Sequence, residues 1–311
     1  GAAGQAEGAA GGVGLRAAAA AADPALVDAI VARAGSRGEL PDATSQVPNV
    51  VYLDDSTSMI QFRTVPEGAF SLTSKYRWDN SCLQAGQREL LELAHYLEGA
   101  PTRVVKFGGL AEYEEVTDGR GHERVVRVEK MLRTMLLETM TFQNHLHTAP
   151  LLGAWDGSSQ GTYMWKMIET DIVGTYQPGS AIRVHLITDG EDTHSPGVFR
   201  GIQGMDALQT SLREQGYRIQ WNIILLLFGA HSFHGLSARR YEELCASSGG
   251  VFRLISDGYG ESGGDAELRA FLGEHDEAAA KRRYRDLLLA ARTSGDDLQL
   301  ARLPQGGRGA R

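Results

Sequence analysis

Cysteine is almost missing from this chain: Cys82 and Cys245 are the only two in 311 residues. Two thiols cannot build a disulfide scaffold, and their scarcity fits a reducing compartment. Long apolar runs are also lacking. The longest strongly apolar stretch, Ile223 to Phe228, falls far short of the roughly 20 residues that a helix needs to cross a bilayer. No basic leader followed by an apolar segment stands out, so no secretory signal is expected, and an intracellular place is. Positive charge is in deficit: 31 Lys and Arg face 39 Asp and Glu, for a net charge of −8. That argues against a general nucleic-acid binder. The deficit is uneven. Lys281 to Arg311 holds eight basic and three acidic residues, a net +5, which leaves −13 for the rest. An acidic body with a short basic tail suits cation binding better than phosphate-backbone binding. The 38 Gly show no Gly-X-Y period, which excludes collagen.

What is present is enough apolar side chain, 42% of residues, for a sizeable core. Residues 1–47 read as an Ala/Gly-rich disordered arm, with a short helix from Pro24 to Ala34 and a linker after it. The core spans residues 48–260. Strands are expected at Asn49–Leu53, Thr102–Phe107, Ala181–Thr188, Ile219–Phe228 and Val251–Ile255. A hairpin is expected over 112–130, turning at Asp118-Gly119. Helices are expected at 86–98, 130–141, Thr162–Ile172, Met205–Gln215 and Ser237–Ser247, with an irregular stretch between 141 and Gly161. Residues 261–311 read as a single long helix, Ala266–Ala291, and a loose basic tail. Strands alternating with helices imply an α/β fold. We expect a Rossmann-like, doubly wound, mostly parallel sheet with one antiparallel edge strand and helices on both faces. Sites in such sheets lie at the carboxyl ends of the strands.

Three polar clusters fall at such ends. Asp54, Ser56 and Ser58 follow the first strand directly. Thr162 sits in a Gly-Thr pair opening a helix. Asp189 closes the strand that ends in Thr188. The alternate spacing of Asp-x-Ser-x-Ser turns three oxygen groups toward one point in an extended loop. Carboxylates and hydroxyls are hard ligands, suited to Mg²⁺, which takes six oxygens at about 2.1 Å and keeps several waters. Mn²⁺ or Ca²⁺ would be alternatives. Such a set leaves an open position for a carboxylate from another molecule.

With these residues the chain resembles a von Willebrand factor type A (VWA) domain with its metal-ion-dependent adhesion site. The matching stretches are Val50-Val-Tyr-Leu-Asp54-Asp-Ser56-Thr-Ser58, Gly161-Thr162 and Leu186-Ile-Thr-Asp189-Gly190. Tyr241 to Phe252 is similar to the family's last helix-to-strand passage, so the likeness covers about residues 48–257. The resemblance implies that Ser56, Ser58 and Thr162 would hold the metal directly, and Asp54 and Asp189 through water. It also implies a protein partner offering a Glu or Asp. Thr57 stands where many members have Gly, and Asp55 adds an acid beside the site. Thr148 and Thr170 compete with Thr162 for the third hydroxyl.

Other features have simpler readings. His145-x-His147 and His231-x-x-His234 lack Cys or Glu partners at ligand spacing and read as loop histidines. Trp155-Asp-Gly-Ser-Ser-Gln-Gly161 lacks the Gly-Lys-Ser/Thr ending of a phosphate loop. That loop, with Tyr163 and Trp165, is a candidate for specificity around the metal. Lys281-Arg282-Arg283 reads as the solvated face of a helix. Three functions compete: a Mg²⁺-dependent protein-interaction module, a metal-dependent hydrolase or phosphotransferase, and a metal-independent scaffold. A haloacid-dehalogenase-type enzyme needs a second Asp two residues after the first, where this chain has Ser56, and no Ser-His-Asp elbow is present. The binding module, not an enzyme, is the expectation.

Overall fold

Asn49-Val-Val-Tyr-Leu-Asp54 forms strand β1, every residue buried. Its alternate side chains serve two cores. Val50 and Tyr52 pack on one face, and Val51 and Leu53 on the other. A strand apolar on both faces belongs in the middle of a covered sheet, and there it lies. The computed structural model describes residues 47–60, 81–117, 119, 121, 123–141, 145–190, 192–228, 235–256 and 266–293. The expected arm through residue 46 with its Pro24–Ala34 helix, His231, His234 and the tail from 294 lie outside the described residues.

The other strands are β2 (Pro101–Thr117), β3 (Glu123–Thr141), β4 (Ala181–Thr188), β5 (Arg218–Leu227) and β6 (Phe252–Ser256). They form one sheet in the order β3-β2-β1-β4-β5-β6. All pairs are parallel except β2–β3. Among the described residues the helices are α1 (Cys82–Tyr96), α2 (His145–Ala154), α3 (Trp165–Thr175), α4 (Gly201–Glu214), α5 (Gly235–Ser247), α6 (Ala266–Glu274) and α7 (Glu277–Thr293). Helices α3, α4, α5 and α6 cover the face that holds Tyr52, through Trp165, Ile168, Leu208, Tyr241 and Phe271. Helices α1, α2 and α7 cover the opposite face through Leu90, Leu152 and Leu288. Each fully buried side chain of this kind adds about 1.5–3 kcal/mol of transfer free energy. The expected doubly wound α/β architecture is therefore observed.

Three local expectations are corrected. Residues 130–141 are strand, not helix. Apolar residues there fall at both odd and even positions, so a helical stripe can be drawn, but Met131 packs on one core and Leu136 on the other. The open edge of β2 decides the matter, since it supplies a ladder for the whole segment. The irregular stretch contains α2, whose Leu151 and Leu152 are buried despite Pro150 inside the helix. The C-terminal helix is broken at His275-Asp276. Asp276 accepts the Ala279 N–H at 2.8 Å as a helix cap, and the His275 ring accepts the Leu254 N–H of β6 at 3.2 Å.

Buried charge joins the layers. Arg103 on β2 grips Asp171 of α3 through two hydrogen bonds of 3.1 and 3.0 Å, and Tyr52 donates to the same carboxylate at 2.7 Å. On the other face Arg253 of β6 pairs with Glu89 of α1.

Candidate functional site

The chain runs outward from β1 to β2 and β3, then returns to β4 on the other side of β1. The direction of winding therefore reverses between β1 and β4, and it is at the carboxyl ends of strands at such a reversal that sites lie in sheets of this kind. Asp54 ends β1, and Asp189 follows β4 directly.

The Asp54 carboxylate is fully buried. One oxygen accepts the Ser56 N–H at 3.0 Å, and the other accepts the Thr188 hydroxyl at 2.6 Å. Ser56 Oγ lies 2.8 Å from Ser58 Oγ, and Ser58 Oγ donates to Asp189 at 3.1 Å. Four of the five expected residues thus meet in one network. It closes from β1 through a short 3₁₀ turn, Thr57–Ile60, back to the end of β4. Burial pushes the Asp54 carboxyl above its ordinary value, against hydrogen bonds from Thr188 and Ser56 that lower it. Asp189 is pushed well above its ordinary value, first by burial and then by the charge of Asp54. Two carboxylates held this way repel each other, and a cation between them would relieve the repulsion.

Thr162 enters differently. It lies in the loop before α3 and is buried. Its carbonyl accepts the Thr193 and His194 N–H groups at 3.1 and 3.0 Å, and its own N–H donates to His194 Nδ1 at 3.3 Å. The loop holding Thr162 is thereby fastened to the loop after β4. Gly161 has φ +75°, and a side chain there would meet the His194 ring at 2.6 Å. Of its competitors, Thr170 points its hydroxyl at the Lys166 carbonyl of its own helix at 2.8 Å. Thr148 lies in α2.

Two further acids, Asp55 and Asp192, shape the loops around the site. Asp55, beside Asp54, does not join the oxygen network. Its carboxylate accepts Gly157 N–H at 2.9 Å and Ser159 Oγ–H at 2.8 Å, and pairs with Lys106 at 3.0 Å. It organises the Trp155–Gly161 loop, which lies between the end of β1 and β2. Ser159 bridges Ser56, and the Trp155 ring N–H donates to the Asp54 carbonyl at 2.7 Å. Asp192 lies outside the set of residues expected at the site. One of its oxygens accepts the Met164 and Trp165 N–H groups, each at 2.8 Å, and the other accepts Ser195 N–H at 2.7 Å. It caps α3 from another loop, so the helix starts at Trp165, three residues later than expected. An Asp two residues after Thr-Asp-Gly was the available signal. Tyr163 and Trp165, candidates for specificity around the metal, are buried, and the Trp165 ring N–H goes to the Gly201 carbonyl at 3.0 Å. Exposed among the described residues around the site are Thr57, Ile60, Asp156, Ser158, Gln160 and Thr193.

Among the described residues no three His, Cys, Asp or Glu side chains are grouped as a metal centre. The donors here are two carboxylates and hydroxyls, all oxygen, which fit a hard divalent cation. No described helix is long and apolar enough to cross a membrane.

No family model matches the chain, and no curated protein does. Several solved structures are similar to it. A von Willebrand factor type A protein from Catenulispora acidiphila is 14% identical with a TM-score of 0.39, over 79% of this chain and 42% of that one. The PilB minor pilin from Streptococcus sanguinis is 10% identical with a TM-score of 0.40, over 79% of this chain and 63% of the pilin. The SpRpn10 VWA domain is 12% identical with a TM-score of 0.34, over 74% of this chain and 95% of that domain. The chain thus spans less than two thirds of the first two. Likenesses this remote carry no functional argument, and the fold stands on its own strand order and register.

Proposed function

We propose that this chain is a VWA-type protein-interaction domain that binds a partner carboxylate through a divalent cation, Mg²⁺ for preference. The observation that supports this most is the network from Thr188 through Asp54, Ser56 and Ser58 to Asp189, at the point where the sheet reverses its winding. In this reading Ser56 and Ser58 would hold the cation directly, Thr162 would supply a third hydroxyl, and Asp54 and Asp189 would act through water. The cation would supply positive charge to a partner's Glu or Asp. The chain's own residues do the rest. Thr188 and the Ser56 N–H orient Asp54. Asp55 and Asp192 fix the two flanking loops. The exposed rim of Thr57, Asp156, Ser158 and Gln160 meets the partner.

Binding rather than catalysis is the proposal, because the carboxylates and hydroxyls of the network are hard oxygen donors that suit a divalent cation with a position left open for a partner's carboxylate.

Thermal unfolding of the chain in excess EDTA, Mg²⁺ and Mn²⁺, beside Asp54→Ala, tests the reading. A ligand at about 100 times its Kd stabilises the folded state by about 2.7 kcal/mol. The parent's midpoint is expected to rise with Mg²⁺ and the variant's to stay unmoved. No shift in the parent at saturating cation would overturn the cation clamp.

A further inference from the structure

Strand β2 outruns its neighbour. Its parallel partner β1 ends at Asp54, opposite Phe107, while β2 continues to Thr117. Strand β3 follows it in unbroken antiparallel register from Val105↔Met135 to Thr117↔Glu123. Beyond Gly109 the two strands form a ribbon, Leu110–Thr117 against Glu123–Lys130, about 27 Å long at 3.4 Å per residue.

Two hydrogen bonds set the direction of its backbone groups. Asp55 N–H donates to the Phe107 carbonyl, and Gln160 N–H to the Gly109 carbonyl, each at 2.8 Å. Odd-numbered carbonyls of β2 therefore point away from β3. In a strand the N–H and C=O of one residue share a side. With the register unbroken, Ala111, Tyr113, Glu115 and Thr117 turn both groups outward, and the even-numbered residues bond β3. Among the described residues no strand pairs with this edge beyond Gly109.

Several observations narrow what would cover it. A row of alternating donors and acceptors is completed by an extended backbone. The row is continuous with the site, since Gln160, which closes it at Gly109, follows Ser159, which bridges Ser56. A second copy is disfavoured. A two-fold pairing centred on Tyr113, Glu114 or Glu115 would set Glu112 opposite Glu114, Glu114 opposite its own copy or Glu115 opposite its own copy, and like charges across strands destabilise. Leu110 and Val116, 46% and 38% exposed, lie on one face of the ribbon and offer apolar contact to side chains of an added strand.

We propose that β2 beyond Gly109 is a docking edge, on which an extended segment of the protein partner adds as a further strand and runs past Gln160 to present its carboxylate at the site. The proposal rests on the reading of that site as a carboxylate-binding cation site.

The test uses the full chain and a display library of short peptides, random except for one central Asp, selected in Mg²⁺. Tyr113→Pro and Glu115→Pro each delete an outward N–H and leave the β2–β3 ladder bonds in place. Selected peptides are expected to bind these variants at least about tenfold more weakly than the parent. They are also expected to slow hydrogen exchange at the Tyr113 and Glu115 amides of the parent. Equal binding to the proline variants overturns the docking edge. So does unchanged exchange at both amides, or the recovery of no binding peptide. If a proline variant fails to fold, exchange on the parent decides. The Mg²⁺ shift in midpoint separates the two claims. A shift with proline-insensitive binding removes the edge alone, whereas proline-sensitive binding without a shift removes the cation and leaves the edge.

Discussion

Asp54 and Asp55 are adjacent, identical in type and both fully buried, yet they do different work. Successive side chains leaving a strand point to opposite sides. Asp54 therefore meets Thr188 and Ser56, and Asp55 meets the Trp155–Gly161 loop and Lys106. Asp192 shows the same economy, since its two oxygens take N–H groups from four residues in two loops. Removing it leaves buried N–H groups unpaired and uncaps α3, which costs at least about 2 kcal/mol. Asp192→Ala is expected to lower the urea midpoint of unfolding by that margin with an unchanged slope. It should also weaken the Mg²⁺ response, because Thr162 hangs between α3 and the loop that Asp192 holds.

At the level of elements, the site depends on how closely the Trp155–Gly161 loop approaches β2. A methyl group on Gly109 would sit 1.9 Å from the Gln160 carbonyl oxygen, and one on Gly108 would sit 2.3 Å from Ser159 Cβ. No rotamer change relieves a clash with backbone. Gly109→Ala is expected to displace the loop, with a cost of about 1–3 kcal/mol in stability and a weakened Mg²⁺-induced shift in Tm. Gly119→Ala is the matched control. Nothing lies within 4 Å of a methyl group there, so its effect should stay within about 0.5 kcal/mol. Wild-type stability in Gly109→Ala would show that the loop does not need this contact.

Across the whole molecule, α7 is tied to the sheet by polar groups as well as by Leu288. Tyr284 Oη lies 2.7 Å from His185 Nδ1, and Asn49 Oδ1 lies 3.2 Å from His185 Nε2 and accepts from Arg183 at 3.1 Å. Burial holds the His185 imidazole well below its ordinary value, and the neighbouring Arg183 charge lowers it further. Burial also pushes Arg183 itself down to about 10. His185 is therefore neutral in the folded state and titrates near pH 6.5 only when unfolded. Its contribution is complete above about pH 6.5 and is lost as the pH falls below that value toward the depressed folded one. His185→Gln removes the titration and keeps a polar side chain. It should be less stable than the parent at pH 7.5, with the gap narrowing or reversing at pH 5, as read from urea unfolding at both values. Equal gaps at the two values would show that His185 carries none of the acid sensitivity.

Whatever depends on local pattern could be read from the sequence alone. Buried strands such as Ala181–Thr188 are apolar runs bounded by turn residues, and their alternation with helices implies a parallel sheet, while the hairpin signal over 112–130 implies an antiparallel pair. Asp54, Ser56, Ser58 and Asp189 were legible because strand ends in such a sheet converge, so residues 131 positions apart needed only the right place after a strand to meet. Contacts between distant segments decided the rest. Met131 to Met140 fits a helix or a strand equally well by its own periodicity, and only the free edge of β2 selects the strand. Asp276 and the His275 bond to β6 break what composition makes one helix. The task of Asp192 depends on where the loop before α3 passes. The two N–H groups that it caps at the start of α3 lie 28 and 27 positions earlier in the chain, and no local period records which buried N–H group a distant carboxylate will satisfy.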